Sequence, residues 1–470
     1  MPGFEQILAY GRPSALGRAG GGPVLGLETA GGFSPAGAEA RPHFFSGFLT
    51  SPRATARGIL AVADVAASRY HQARPASSLD PVVTGNGDRL RFESFSACCG
   101  VYARLDVLQE GLDGGETGHG TTNVDVNAPL RTALSRLADD DPLHLRVGPD
   151  DLAVTTLSGR VVEKKVTLPD RWLRGFAEAQ VSAAGFDLRA ELTAAEAVRF
   201  LRSLPRSPAA SRGALWAVPA GRSLRLTTRA GRGAVCLPGP ERLAALHQVL
   251  RHATRLRVYG PPAEGDAPTA GAWELALPGM RLTLTLSPEA ARGFSGEGGV
   301  LTALATDDTA RDAEAVAALL SWDPRIAPSA LAERAGLTTH RVRAALARLG
   351  TSGAVGYDIA ECAYFHRELP YDTARAEGHN PRLVAARTLA ASGTVRLLGA
   401  TAAVTSGDVV HQVREAADGE LSCTCRWWAA HRGGRGPCKH ALAVHIVRRR
   451  AHRDTAAQLP SAPAPGGTDT

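Results

Sequence analysis

Three of the chain's seven cysteines and two of its histidines, His431 and His440, fall in CTCRWWAAHRGGRGPCKH, residues 423–440. The order is Cys-x-Cys, a twelve-residue spacer, then Cys-x-His, which singles out Cys423, Cys425, Cys438 and His440. Three thiolates and one imidazole make a closed tetrahedral donor set. That set suits structural zinc rather than catalytic zinc, which keeps a position open. His431 and His445 are alternatives for the fourth ligand, although His445, five residues beyond His440 on a helix, should point elsewhere. The chain opens without a basic segment followed by a long apolar run, and it contains no stretch of eighteen apolar residues. It is therefore expected to be cytoplasmic, where thiols stay reduced and available to metal.

The elements around these residues are legible. VVHQVREAADGELSCTC (409–425) reads as a hairpin turning at Asp418-Gly419, with Leu421, Cys423 and Cys425 alternating on one face. Gly436 and Pro437 read as N-cap and first residue of the helix KHALAVHIVRRR, placing Cys438 and His440 in its first turn. A helix N-terminus favours the thiolate of Cys438. Leu442 and Ile446 can pack beneath.

Cys423, Cys425, Cys438 and His440 match the pattern of the SWIM zinc finger without departure, and the likeness covers about 390–450. More broadly the chain resembles bacterial SWIM zinc finger family proteins with an added winged-helix-like region. The resemblance implies DNA binding or protein docking. It also implies a possible partner, an assembly of a MoxR-type AAA ATPase with von Willebrand A proteins.

The formal net charge is +7, and of 53 basic residues only Lys164, Lys165 and Lys439 are lysine. A genome rich in G and C accounts for that arginine bias, so the placement of charge says more than its sum. Between Cys423 and Arg453 stand eight basic residues and no acid: Arg426, Arg432, Arg435, Lys439, Arg448, Arg449, Arg450 and Arg453. These are the candidate phosphate contacts. Basic residues closing a helix also complement its dipole, which is the alternative account of 448–453.

Upstream, VDVNAPLRTAL (124–134) and VCLPGPERLAAL (235–246) share Val124/Val235, Pro129/Pro240, Arg131/Arg242 and Ala133/Ala244, and LRV at 145–147 recurs at 256–258, all at one offset of 111. LPDRWLRGF (168–176) recurs as LSPEAARGF (286–294), after a longer loop. The pattern predicts a duplicated α+β unit over 120–180 and 232–297, with Arg174-Gly175-Phe176 and Arg292-Gly293-Phe294 in equivalent places. From 312 the pattern changes to three helices and a β-hairpin, a winged-helix-like module over 312–370. The exposed face of its last helix would carry His340, Arg341 and Arg348.

The remaining signals are weaker. Cys98-Cys99 reads as an adjacent buried pair in a strand, with a redox or metal role as the alternative. GLDGGETGHGTTN (111–123) lacks the Lys-Ser/Thr ending of a phosphate loop and reads as a hairpin loop. The expected class is α+β multidomain: an irregular segment at 1–42, an α+β region at 43–119, the two repeats, the winged-helix-like module, a small C-terminal ββα-type zinc finger at 390–450, and a disordered tail at 451–470. The expected function is non-enzymatic: a zinc-binding protein that binds DNA or docks onto a nucleic-acid-processing assembly, with no membrane and no small-molecule substrate. The alternative is a protein-interaction adaptor of the ATPase complex. A thiol enzyme using Cys98-Cys99 is set aside.

Overall fold

The structure is a computed structural model that describes residues 15–19, 22–26, 32–34, 37–39, 43–70, 81–114, 117–166, 168–205, 214–262, 265–305, 307–320, 323–369, 380–417 and 419–458. Among these no helix is long and apolar enough to cross a membrane. The first 42 residues include two short antiparallel strand pairs, Ala15–Ala19 with Gly22–Gly26 and Gly32–Ser34 with Gly37–Glu39.

Strand β1 (Phe45–Leu49) leads into α1 (Pro52–Ala67), begun by proline and lined with Ala, Ile, Leu and Val. Its inner face is small enough for close packing. A Cβ on Gly58 would lie 2.9 Å from the Leu105 methyl carbons, so glycine lets the helix meet the sheet here. That sheet comprises β2 (Val82–Asn86), β3 (Arg89–Phe95), β4 (Val101–Leu108), β5 (His119–Asn123) and four later strands. After β5 come α2 (Ala128–Arg136), a meander of β6 (His144–Val147), β7 (Asp151–Thr156) and β8 (Gly159–Lys164), then α3 (Asp170–Ala183). Next are β9 (Asp187–Thr193), α4 (Ala194–Ser203), β10 (Leu215–Ala220), β11 (Ser223–Thr227) and β12 (Val235–Leu237). A 3-10 helix, Pro240–Gln248, precedes β13 (Arg255–Gly260), β14 (Gly271–Leu277) and β15 (Met280–Leu286). The eight-stranded sheet runs β5-β2-β3-β4-β15-β14-β13-β9. Its halves join where β4 pairs β15, from Val101 opposite Leu286 to Val107 opposite Met280. A second sheet runs β8-β7-β6-β1 with the short strand Leu112–Asp113, and a third runs β11-β10-β12.

The segments at offset 111 begin differently, with an isolated bridge at Val124 and a strand at Val235–Leu237, but each continues as a helical stretch against α1 and a strand in which Leu145/Leu256 and Val147/Val258 are fully buried. The helical stretch is α in one and 3-10 in the other. The Arg-Gly-Phe triplets are not equivalent. Arg174-Gly175-Phe176 lies inside α3, whereas Arg292-Gly293-Phe294 is irregular backbone entering a 3-10 turn. Both phenylalanines nonetheless reach the same ring, Phe95, at centroid distances of 5.0 and 6.3 Å. The shared triplet therefore reflects packing against one aromatic from two directions. The cysteine pair is also displaced from its expectation. Cys98 and Cys99 form the turn between β3 and β4, with Cys99 at φ 54, rather than continuing a strand.

After the short helix α5 (Leu301–Leu304) come α6 (Asp307–Leu319), α7 (Pro328–Ala335), α8 (Thr339–Thr351) and a hairpin, β16 (Val355–Asp358) with β17 (Ala363–His366). This hairpin covers the polar face of the large sheet. Residues that alternation assigns to solvent, among them Arg91, Glu93, Arg104, Asp106, Thr283 and Thr285, are buried beneath it. Asp358 accepts ion pairs from Arg89 (3.4 Å), Arg91 (3.3 Å), Arg104 (2.9 Å) and Arg281 (3.0 Å). Helix α8 is held as well: Gln180 of α3 donates to the Leu346 carbonyl at 3.2 Å.

The final unit has α9 (Pro381–Ala391), the antiparallel sheet β18 (Val395–Leu398), β19 (Thr401–Ser406), β20 (Val409–Glu415), β21 (Leu421–Cys423), then α10 (Arg426–His431) and α11 (Lys439–Gln458). It is larger than a ββα finger. The helix also runs beyond the basic triplet into the segment expected to be disordered, of which 459–470 lies outside the described residues.

Glu178 of α3 ties this region together. It accepts from the Gly299 N–H (2.8 Å) and the Val300 N–H (3.4 Å) just before α5. Burial pushes its carboxyl from 4.5 to about 7, against those two donors. The raised value means that burial is free of penalty below pH 4.5 and carries its full penalty above pH 7. Glu178→Gln is therefore expected to stabilise the protein above neutrality by up to about 3 kcal/mol and to change little near pH 4.5. Urea melts at both pH values check this, and a pH-independent difference counts against it.

Candidate metal centre

The four ligand candidates converge. One donor atom from each of Cys423, Cys425, Cys438 and His440 lies within 4.8 Å of the others, and all four residues are buried. Val413 pairs with Cys423 as the last rung of the β20–β21 ladder. The strand ends there, so Cys425 is not held in strand geometry, which would set the two residues about 6.6 Å apart. Cys425 is instead the N-cap of α10, its Sγ accepting from the Trp428 N–H at 3.4 Å. The twelve-residue spacer therefore contains a helix. Cys438 plays the same part for α11: its carbonyl accepts from the Leu442 N–H and its Sγ from the Ala441 N–H at 3.4 Å. The cap is Cys438, two residues later than Gly436 suggested. Two sulfurs thus sit at helix N-termini, where N–H donors and the helix dipole favour negative charge.

The sulfur of Cys438 is depressed to about 4, first by the bond it shares with Cys423 and then by His440 and the Ala441 N–H, against burial. The same shared bond pushes Cys423 up, and burial pushes Cys425 up. His440 presents Nδ1 to Cys423 Sγ at 3.8 Å, and its ring stacks on His411 with centroids 4.1 Å apart. The donor set fits zinc, since bonds of about 2.3 Å place sulfurs just under 4 Å apart in a tetrahedron. His431 lies outside the cluster, edge-on to Trp427 at 4.4 Å, and His445 faces away on α11.

The eight candidate phosphate contacts are divided by the fold. Arg435 donates to the Gly296 carbonyl (2.8 Å), approaches Glu297 (3.7 Å) and lies over the Trp427 ring at 5.0 Å. Arg448 pairs with Glu415 and donates to the Gly399 carbonyl at 3.0 Å. Arg426, Arg432, Arg449 and Arg450 are exposed, and Lys439 is half-buried. The side chain of Arg453 and the turn residue Asp418 lie outside the described residues. The exposed arginines form two groups, one around α10 and one about 15 Å farther along α11. On α8, Arg341 is bound by Asp312 (2.6 and 2.8 Å) and Arg348 donates to the Leu304 carbonyl (3.4 Å); His340 is exposed.

The sequence did not reveal Arg382. It bridges the finger to the body, donating to the Arg435 carbonyl (2.8 Å), the Pro437 carbonyl (3.3 Å) and the Gly296 carbonyl (3.3 Å), and it lies over Trp427 at 4.5 Å. Gly436, at φ 73, approaches Gly298 so closely that a Cβ would collide with its carbonyl oxygen. A glycine-rich spacer was the available signal, but not its docking partner.

Residues 411–447 match the SWIM zinc finger. No curated protein matches the chain. Similar solved structures include proliferating cellular nuclear antigen from Entamoeba histolytica, at 10% identity over 53% of this chain and 100% of that one, TM-score 0.34. Another is the PCNA2–PCNA3 complex from Sulfolobus tokodaii, at 8% identity over 52% and 100%, TM-score 0.37. With four buried donors in the Cys-x-Cys, Cys-x-His order converging at the matched residues, the chain carries a SWIM zinc finger.

Proposed function

We propose that the protein is a non-enzymatic nucleic-acid-binding protein whose SWIM finger is held by one structural zinc. Cys423, Cys425, Cys438 and His440 would hold the ion, which supplies a rigid cross-link between hairpin and helix. A four-ligand set leaves no position for substrate. The observation that carries the reading is the exposure of Arg426, Arg432, Arg449 and Arg450 in a stretch without acids, while Arg435 and Arg448 are spent on the protein itself. The helix–hairpin module over 312–370 is proposed to act as a winged-helix-like brace rather than a reader. Its last helix faces α3, two of its three candidate base-facing side chains are engaged, and its hairpin is buried against the sheet.

Four phosphate contacts predict a log–log salt slope of about −3.6 on duplex DNA, with weak sequence preference. The double variant Arg449→Gln/Arg450→Gln should flatten the slope by about 1.8 while zinc stays bound. Arg426→Gln/Arg432→Gln should do the same, and Arg435→Gln should not. Titrations across salt concentrations decide. An unchanged slope in both double variants would transfer the finger to protein docking, where an ATPase assembly becomes the partner to test.

A further inference from the structure

An open cleft of about 600 Å³ runs beside the metal centre, between the finger and α5. Its walls include Leu421 at the end of the β20–β21 hairpin, Trp428 of α10, Leu442 and His445 of α11, and Thr302 across the gap. Arg432 stands on its rim. The two adjacent tryptophans of the finger have separate tasks. Trp427 is covered by Arg382 and Arg435 and anchors the finger to the body. Trp428 packs against the finger's core and also lines the cleft.

Arg432 itself is unusual. It caps α10 in the left-handed region, at φ 42 and ψ 44, where glycine is the ordinary choice and costs less. Gly433, which follows directly, is also left-handed, at φ 81. A strained arginine at a cleft mouth points to a use for its guanidinium. Glu420 also lines the cleft.

Resting on the nucleic-acid reading above, we infer that this cleft receives an unpaired nucleotide of a single strand. A base lies against Trp428, and its phosphate meets Arg432. The volume falls in the range of small-ligand sites, about 300–1,000 Å³, room for a nucleotide rather than a duplex. Arg432 on the cleft and the acid-free span from 423 to 453 favour an anionic strand over a peptide, with Glu420 as the one acid among the lining residues. Aromatic stacking with a cationic neighbour is the means by which proteins hold single strands irrespective of sequence. The exposed arginines of α11 would grip phosphates of either form, whereas only a single strand can also fill the cleft.

The test compares a labelled oligothymidylate with a duplex of equal length by fluorescence anisotropy on the full chain. Wild type should bind the single strand more tightly. Trp428→Leu should weaken single-strand binding about tenfold. Thr302→Trp should do the same by filling the slot from the opposite wall, and because Thr302 is exposed on α5 it leaves the finger's core untouched. Duplex affinity and zinc content should stay within twofold of wild type in both variants. Equal losses on both nucleic acids, or an unmoved single-strand affinity, would overturn the cleft site. If Arg449→Gln/Arg450→Gln still weakened both ligands, the surface reading would survive that result. Binding of neither ligand by wild type would remove both.

Discussion

Cys438→Ser is expected to abolish zinc binding and melt the finger's sheet while the eight-stranded sheet stays folded. Structural zinc contributes apparent binding energies of about 10–16 kcal/mol in isolated fingers at neutral pH, far more than a small sheet can replace. Here the substitute is meagre. The buried cluster of the finger is Ala402, Val404, Val413, Ala441, Val444 and the three ligand cysteines, so the metal site is a large share of its core. A serine hydroxyl can still cap α11 by accepting from the Ala441 N–H, so the loss in this variant is that of the metal ligand. Helix α11 has a second attachment, because Leu442, Ala443 and Ile446 pack with Leu301, Leu304 and Leu383. It should therefore persist in part while β18–β21 and α10 unfold. Hydrogen exchange would show lost protection at Val404 and Val413, with Val101 to Val107 unchanged. One zinc per chain in the variant, or unaltered protection of the finger, would refute the assignment of Cys438.

Asp358→Ala should cost about 3–5 kcal/mol, the penalty for breaking a buried ion pair and leaving its partners unmatched. Four guanidiniums converge on this carboxylate, and three of them, Arg91, Arg104 and Arg281, otherwise share Asp106. Glu361 offers partial relief to Arg89 and Arg281 at 3.5 and 3.4 Å. Burial opposes the charge of Asp358, but Arg104, Arg91, Arg281 and Arg89 outweigh it and hold its carboxyl below the ordinary 3.8. A depressed value means that this stabilisation is fully present above pH 3.8 and fades as pH falls toward the lower folded value. Asp358→Asn should accordingly be less stable than wild type at neutral pH, with the gap closing in acid. Urea denaturation across pH measures both claims. A neutral-pH loss under 1 kcal/mol would mean that the hairpin is held to the sheet by its other contacts, among them the Phe365 ring against the Arg91 guanidinium at 3.9 Å.

The zinc ligands were readable in the sequence because their spacing is local. Cys-x-Cys and Cys-x-His each lie within one turn of chain, and a hairpin followed by a helix suffices to bring them together. The helical residues around His340 and the strands around Leu145 and Leu256 were equally readable, since period and turn residues act over short range. The capping roles of Cys425 and Cys438 were less so, because a cysteine gives no sequence signal of a helix start comparable to Ser or Asp.

Availability was beyond reach of the sequence. Arg435 looks as free as Arg432 until Gly296 and Glu297, some 140 positions earlier, arrive beside it. Arg341 looks like a base-reading side chain until Asp312 binds it. The alternation of β3, β4 and β15 marks one face as polar, and polar faces ordinarily meet water. The docking of the β16–β17 hairpin, beside α3, buries that face, and Asp358 makes the burial tolerable by matching its charges. Pattern along the chain therefore determined which residues could ligate a metal and which elements would carry them. The tertiary structure decided which charges remain for a partner, because an arginine's partner is set by whatever carboxylate or carbonyl the fold brings within hydrogen-bond reach, and that has no period in the sequence.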